Sequence, residues 1–172
     1  MESNQYSLLP RSGAVKVNHL TRNVIESFLK RFESQKVEVD ADIEPVTADV
    51  DPKVIHRAVS QLLENALQSM PDGGNINVTL INGRHHWELE VADSVGQIYG
   101  TAWKSEIDLN DQKHQMNLKR VAPENPELQQ VRSVAAHYGG HIRSFVCPQG
   151  GTAHVMVIPR RRNELSLRSK QR

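Results

Sequence analysis

The run from Asp51-Pro52 to Pro71-Asp72-Gly73-Gly74 limits the possible folds of this chain more than any other stretch. An aspartate side chain accepts from the first free amides of a helix, and proline already has the backbone angle of the first helical turn, so a helix starts at Asp51-Pro52. Its apolar positions, Val54, Ile55, Ala58, Val59, Leu62, Leu63, Ala66, Leu67 and Met70, recur at three and four residues and make one stripe. Pro71 and the glycine pair end it. At about 100° per residue, Asn65 falls roughly 90° from the stripe's centre, with Gln61 and Gln68 along the same edge. A polar seam therefore borders the face this helix buries.

The flanking patterns show what the helix packs against. Upstream, Val17, Leu20, Val24, Phe28 and Phe32, with Ile25 and Leu29 beside them, make the stripe of a first helix. Val37, Val39, Ala41 and Ile43 then alternate with Glu38, Asp40 and Asp42 at the period of a strand, and Val46-Thr47-Ala48 reads as another, shorter one. Downstream, Ile76, Val78 and Leu80 alternate up to Asn82-Gly83, a two-residue hairpin signal, and Trp87, Leu89 and Val91 alternate on the return. Asp93 shares their parity, so a carboxylate closes the inward face of that strand, where it requires partners. Periodicity fades over residues 94–123. A third helix is expected from Asn125-Pro126, with Leu128, Val131, Val134 and Ala135 as its stripe and Gly139-Gly140 as its stop. Strands over 142–147 and 153–158 flank Pro148-Gln149-Gly150-Gly151.

Composition narrows the class. A chain of 172 residues suits one domain, and 38% hydrophobic with 24% charged residues is the balance of a soluble globular protein. No apolar run approaches the roughly 20 residues that cross a bilayer, and residues 1–10 lack the pattern of a signal peptide, so a cytoplasmic location with no membrane segment is expected. The single cysteine, Cys147, excludes an internal disulfide and a cysteine-rich metal site. Arg160, Arg161, Arg162, Arg168, Lys170 and Arg172 stand against Glu164 in the last stretch, which leaves the rest net acidic under an overall charge of +1. With 5% aromatic residues and its basic excess in the tail, the body is not expected to bind nucleic acid. The expected organisation is a leader over 1–13, a folded domain over 14–159 and a basic tail over 160–172.

The order helix, strand, strand, helix, hairpin, irregular segment, helix, hairpin, with the words Gln61-Leu62-Leu63-Glu64-Asn65-Ala66-Leu67-Gln68-Ser69-Met70-Pro71-Asp72-Gly73-Gly74, resembles the ATP-binding catalytic domain of two-component sensor histidine kinases. Val91-Ala92-Asp93-Ser94 resembles the start of that family's first glycine box, and Val131 to Gly140 followed by Gly150-Gly151-Thr152 resembles its closing helix and last glycine motif. The resemblance spans roughly residues 15 to 159. It implies a two-layer α/β sandwich of the Bergerat type, shared with gyrase and MutL, in which a mixed sheet carries its helices on one face. It also implies ATP and Mg²⁺ as cofactors, and a histidine-bearing dimerisation domain and a response regulator as partners.

Residue by residue, the resemblance makes Asn65 the magnesium ligand, a role suited to a hard carbonyl oxygen beside substrate phosphates. It makes Asp93 the acceptor for the adenine amine, with Gly96, Gly150, Gly151 and Thr152 lining the nucleotide and Gln61 one turn before Asn65 in the catalytic edge. An amide at 61 has no useful basicity, so steady ATP hydrolysis is not expected and any phosphoryl group needs a protein acceptor. Glu64 reads as a solvated helix residue. His85-His86, His137 and His141 lack the spacing of a metal site, His56 lies within the second helix rather than in a histidine-phosphorylation box, and no acceptor histidine of a dimerisation helix pair precedes residue 15.

The departures are as informative. Val95 and Gln97 stand where the family has glycine, and Asn125, Pro126 and Glu127 replace its phosphate cradle at the third helix's start. A helix N-terminus attracts phosphate through free amides and its dipole, by about 0.3 to 1 kcal/mol. Carboxylate–phosphate repulsion at about 4 Å is worth about 1 kcal/mol in water and about 4 near a protein surface, so Glu127 is expected to outweigh that attraction. Lys104, Lys113, Lys119 and Arg120 are the basic residues able to compensate. Three readings follow: a sensor kinase's catalytic domain, a pseudokinase interaction module of the same fold, and an anti-sigma serine kinase.

Overall fold

The computed structural model describes residues 14–95, 128–147 and 150–160. Expectations that fall on Gly96, on Gln97, on Lys104 to Arg120 or on Asn125, Pro126 and Glu127 lie outside them. The elements run β1 (Val15–Lys16), α1 (Val17–Ser34), β2 (Val37–Ile43), β3 (Thr47–Ala48), α2 (Pro52–Ser69), β4 (Gly74–Ile81), β5 (His86–Asp93), α3 (Gln129–His137), β6 (His141–Val146) and β7 (Thr152–Pro159).

α2 begins as its sequence dictates. The Asp51 carboxylate accepts from the amides of Lys53 at 2.7 Å and Val54 at 3.4 Å, and Pro52 takes the first turn. The Asp51 amide donates to the Tyr138 hydroxyl at 2.8 Å, so the C-terminal cap of α3 is tied to the N-terminal cap of α2. α3 itself starts at Gln129 with Leu128 as its N-cap residue and no side-chain cap.

Five strands form one mixed sheet in the order β2-β4-β5-β7-β6. β2 and β4 run parallel, with α2 in the crossover between them, and every other pairing is antiparallel. Ile76, Val78 and Leu80, Trp87, Leu89 and Val91, and Met156 and Ile158 are buried in one core with the stripes of α1, α2 and α3, so the helices cover one face. β1 and β3 form a separate two-stranded ribbon, and the two-residue β1 carries no alternation from which to foresee it.

Three details differ from the pattern reading. Leu29 is 55% exposed, at the outer margin of the α1 stripe, and Ala41 is exposed on the edge strand β2, although Val37 and Ile43 of the same parity are buried. Arg160, grouped with the tail by its charge, is fixed to the body. Its amide donates to the His85 carbonyl at 2.8 Å, and its guanidinium donates to the Gly83 carbonyl at 3.2 Å and to the Asn82 side chain.

The opposite sheet face is polar and partly roofed by charge. Arg143 Nη2 reaches Glu88 at 3.0 Å, His86 Nε2 lies 2.8 Å from the same carboxylate, and the Arg143 guanidinium lies 5.7 Å from the Phe145 ring centroid. Register places Arg143 and Glu90 on either side of Val155, which is buried although it faces away from the helices.

Candidate functional site

Gln61, Asn65 and Ser69 are spaced by four along α2 and so form a single row on its surface. Gln61 is half-buried and Asn65 is buried at 8% exposure, deeper than a seam at the helix edge requires. Ser69 donates to the Ala66 carbonyl at 2.7 Å, and its side chain is near enough to Asp93 to oppose the upward shift of that carboxyl. The row thus ends against the last residue of β5.

Asp93 lies on the inward strand face, 5% exposed, where its parity places it. Its Oδ1 accepts from the Thr152 amide at 3.3 Å. Burial is the largest influence on its carboxyl and pushes it up to about 6, against the opposing effect of hydrogen bonds from the Thr152 amide, the Ser69 side chain and the Val95 backbone. A carboxylate held this way still has acceptor capacity for an incoming donor.

The turn before β7 is shaped by two glycines for two different reasons. Gly150 has φ +97°, and a methyl group added there would meet only ordinary contacts, so its requirement is torsional. At Gly151, φ +90°, a Cβ would collide with the Asp93 carbonyl oxygen. Only glycine lets the backbone approach so closely and present the Thr152 amide to Asp93. Across the site, Ser94 Oγ accepts from the Asn75 amide at 2.8 Å and fixes the end of β5 against β4.

The structure therefore brings Asp93, Gly151 and Thr152 together beside Ser69, with Asn65 one turn and Gln61 two turns back along the same row of α2. Among the described residues no group of three His, Cys, Asp or Glu side chains can hold a metal ion. A cation at Asn65 would take most of its oxygens from a ligand's phosphates and from water, which suits Mg²⁺. His56, His137 and His141 are exposed. Glu64, expected to be solvated, is part-exposed and also receives both Arg31 guanidinium nitrogens at 2.5 and 2.8 Å, and Arg31 lies 5.0 Å from the Phe28 ring centroid.

One buried polar residue is not among those the sequence pattern singles out. His154, 7% exposed, has its Nδ1 2.8 Å from Ser144 Oγ on the neighbouring strand. Burial first, and the Arg132 cation second, push its imidazole down to about 4, so it is neutral near pH 7. A histidine alternating with Thr152, Met156 and Ile158 inside an apolar run is the signal that could have found it.

Among the described residues, a five-stranded mixed sheet with three helices on one face is the fold of the histidine kinase ATP-binding catalytic domain. No family model matches the chain. It is 33% identical over 75 residues to the adaptive-response sensory kinase SasA of Synechococcus sp. (strain JA-3-3Ab), a match that takes in 42% of this chain and 20% of that kinase. Among solved structures, the mycobacterial sensor histidine kinase MprB is 23% identical with a TM-score of 0.62, covering 85% of this chain and 95% of its own. The catalytic domain of histidine kinase ThkA is 17% identical with a TM-score of 0.65, covering 86% and 96%. ThkA in complex with response regulator protein TrrA matches with a TM-score of 0.65 at 18% identity, over 86% of this chain and 41% of ThkA. No helix among the described residues is long and apolar enough to cross a membrane.

Proposed function

We propose that this chain is the ATP-binding catalytic domain of a cytoplasmic two-component sensor histidine kinase, which passes the γ-phosphoryl group to a histidine on a separate dimerisation domain. The observation that carries the reading is Asp93, a buried carboxylate at a strand end, braced by the Thr152 amide and Ser69 and adjoining the Asn65 row. In this role Asp93 accepts from the adenine amine, Gly150, Gly151 and Thr152 of the last glycine motif line the base, and Gly96 belongs with Asp93 to the first glycine box. Asn65 contributes a carbonyl oxygen to Mg²⁺, which supplies charge neutralisation at the phosphates. Gln61 orients without acting as a base. Likeness to ThkA, solved with a response regulator, supports a response regulator as a partner.

A pseudokinase module is favoured by one specific observation. Pro126 and Glu127 directly precede Leu128, the N-cap residue of α3, so the sequence offers a missing amide and an anion at the position of a phosphate cradle. Calorimetric titration with ATP and Mg²⁺ separates the readings. A dissociation constant well below a millimolar that weakens on Asp93→Asn supports the kinase. No heat and no thermal shift support the module. Phosphoryl transfer to a serine of a partner protein, rather than to a histidine, would move the assignment to an anti-sigma kinase.

A further inference from the structure

Resting on the nucleotide reading, we infer that His154 is a second base-recognition residue, its Nε2 donating to the purine ring that Asp93 holds by the exocyclic amine.

Strand register sets the positions. Ala92 pairs with Ala153 and Val91 with His154, so His154 lies on the helix-facing side of β7, two residues from Thr152 and diagonal to Asp93. Diagonal neighbours across paired strands stand about 7–8 Å apart at Cα, within reach of one planar ring system. A molecule against the Asp93 carboxyl therefore sits beside the imidazole. Beyond His154 that face of β7 is apolar, Met156 and Ile158, and burying an imidazole beside them costs free energy unless its polar atoms are used.

One of those atoms is accounted for. Nδ1 meets Ser144 Oγ at 2.8 Å, with Ser144 itself buried on β6. When the hydroxyl donates to Nδ1, the single proton of the neutral ring resides on Nε2. Arg132, on α3, is the cation acting on the ring, and it favours the neutral form. An acceptor at Asp93 next to a donor at His154 complements the adenine edge, where an amine donor adjoins a ring-nitrogen acceptor.

The test uses the full chain, its His154→Phe and Ser144→Ala variants, ADP, and pyrophosphate as the probe lacking a base. Calorimetry is expected to show ADP binding weakened about tenfold by His154→Phe, the size of one lost hydrogen bond, with less loss for Ser144→Ala. In ¹⁵N spectra of the imidazole, the wild-type ring is expected to carry its proton on Nε2 and to shift with ADP but not with pyrophosphate. ADP binding that His154→Phe leaves unchanged, a proton on Nδ1, or an equal shift with pyrophosphate overturns the inference while the nucleotide reading stands. No ADP binding by the wild type overturns both. The spectral readout on the wild type decides the matter even where His154→Phe fails to fold.

Discussion

Asp93 is placed for binding at some cost to stability. Its carboxyl titrates near 6 in the folded chain and near 3.8 when unperturbed, so between those values the unfolded state is the more ionised. The folded state then holds the extra proton, and stability falls as pH rises from about 4 to about 6. Asp93→Asn removes that dependence. The variant is expected to unfold at a higher temperature than the parent at pH 8 in a calorimetric scan, and to bind ATP ten- to a hundredfold more weakly, on the scale of one charge-assisted hydrogen bond at about 1.5–3 kcal/mol. The parent's ATP affinity should rise with pH through about 6, as the carboxylate forms. Asp93 is legible in the sequence because parity along one strand suffices to find it. His154 obeys the same parity but says little alone, since its meaning lies in Ser144, a partner supplied only by pairing β6 with β7.

Elements are legible where a cap and a period agree. α2 starts and ends where Asp51-Pro52 and the Pro71 to Gly74 turn require, and its stripe is the buried one. Leu63→Ala in the middle of that stripe is expected to cost about 2–5 kcal/mol by denaturant titration, through lost contacts and a cavity. What a helix face meets is less legible. Glu64 is bound by Arg31 from α1, 33 residues away, and no local pattern points there. Both groups are substantially exposed, so Arg31→Ala should lose only about 0.2–1 kcal/mol, less in high salt. The hydrogen bond from Arg31 lowers the Glu64 carboxyl, so this contribution is present near neutrality and disappears as acid protonates it. Gly151→Ala is a sharper probe, because the added methyl meets the Asp93 carbonyl oxygen head on. Its expected signature is a lower unfolding midpoint together with weaker ATP binding, since the same backbone presents the Thr152 amide.

At the scale of the molecule, two buried titrations oppose one another. The His154 ring, held down to about 4, leaves the unfolded chain with more bound protons between about pH 4 and about 6.5, so its contribution to stability rises with pH in that interval. Asp93 contributes the opposite slope over nearly the same interval. Urea titrations across it should find a shallower pH dependence in the parent than in either Asp93→Asn or His154→Phe. The variants should tilt in opposite directions, stability rising with pH in the first and falling in the second. The strand order that makes these residues neighbours is beyond periodicity. Alternation says which side of a strand faces inward, not that β7 sits between β5 and β6. The family resemblance implies that arrangement, and the helices do lie on one face as it requires. The start of α3 is where pattern reaches least far, since Asn125 to Glu127 fall outside the described residues.

Trp87 is 1% exposed on the inward face of β5, six residues before Asp93 on the same strand. An indole so enclosed emits at short wavelength and is shielded from aqueous quenchers, which makes it an intrinsic lamp for the state of the sheet. With Trp103→Phe leaving it as the sole indole, iodide quenching would distinguish a closed sheet from an open one, and its light would dim or redden only when the interior itself is breached.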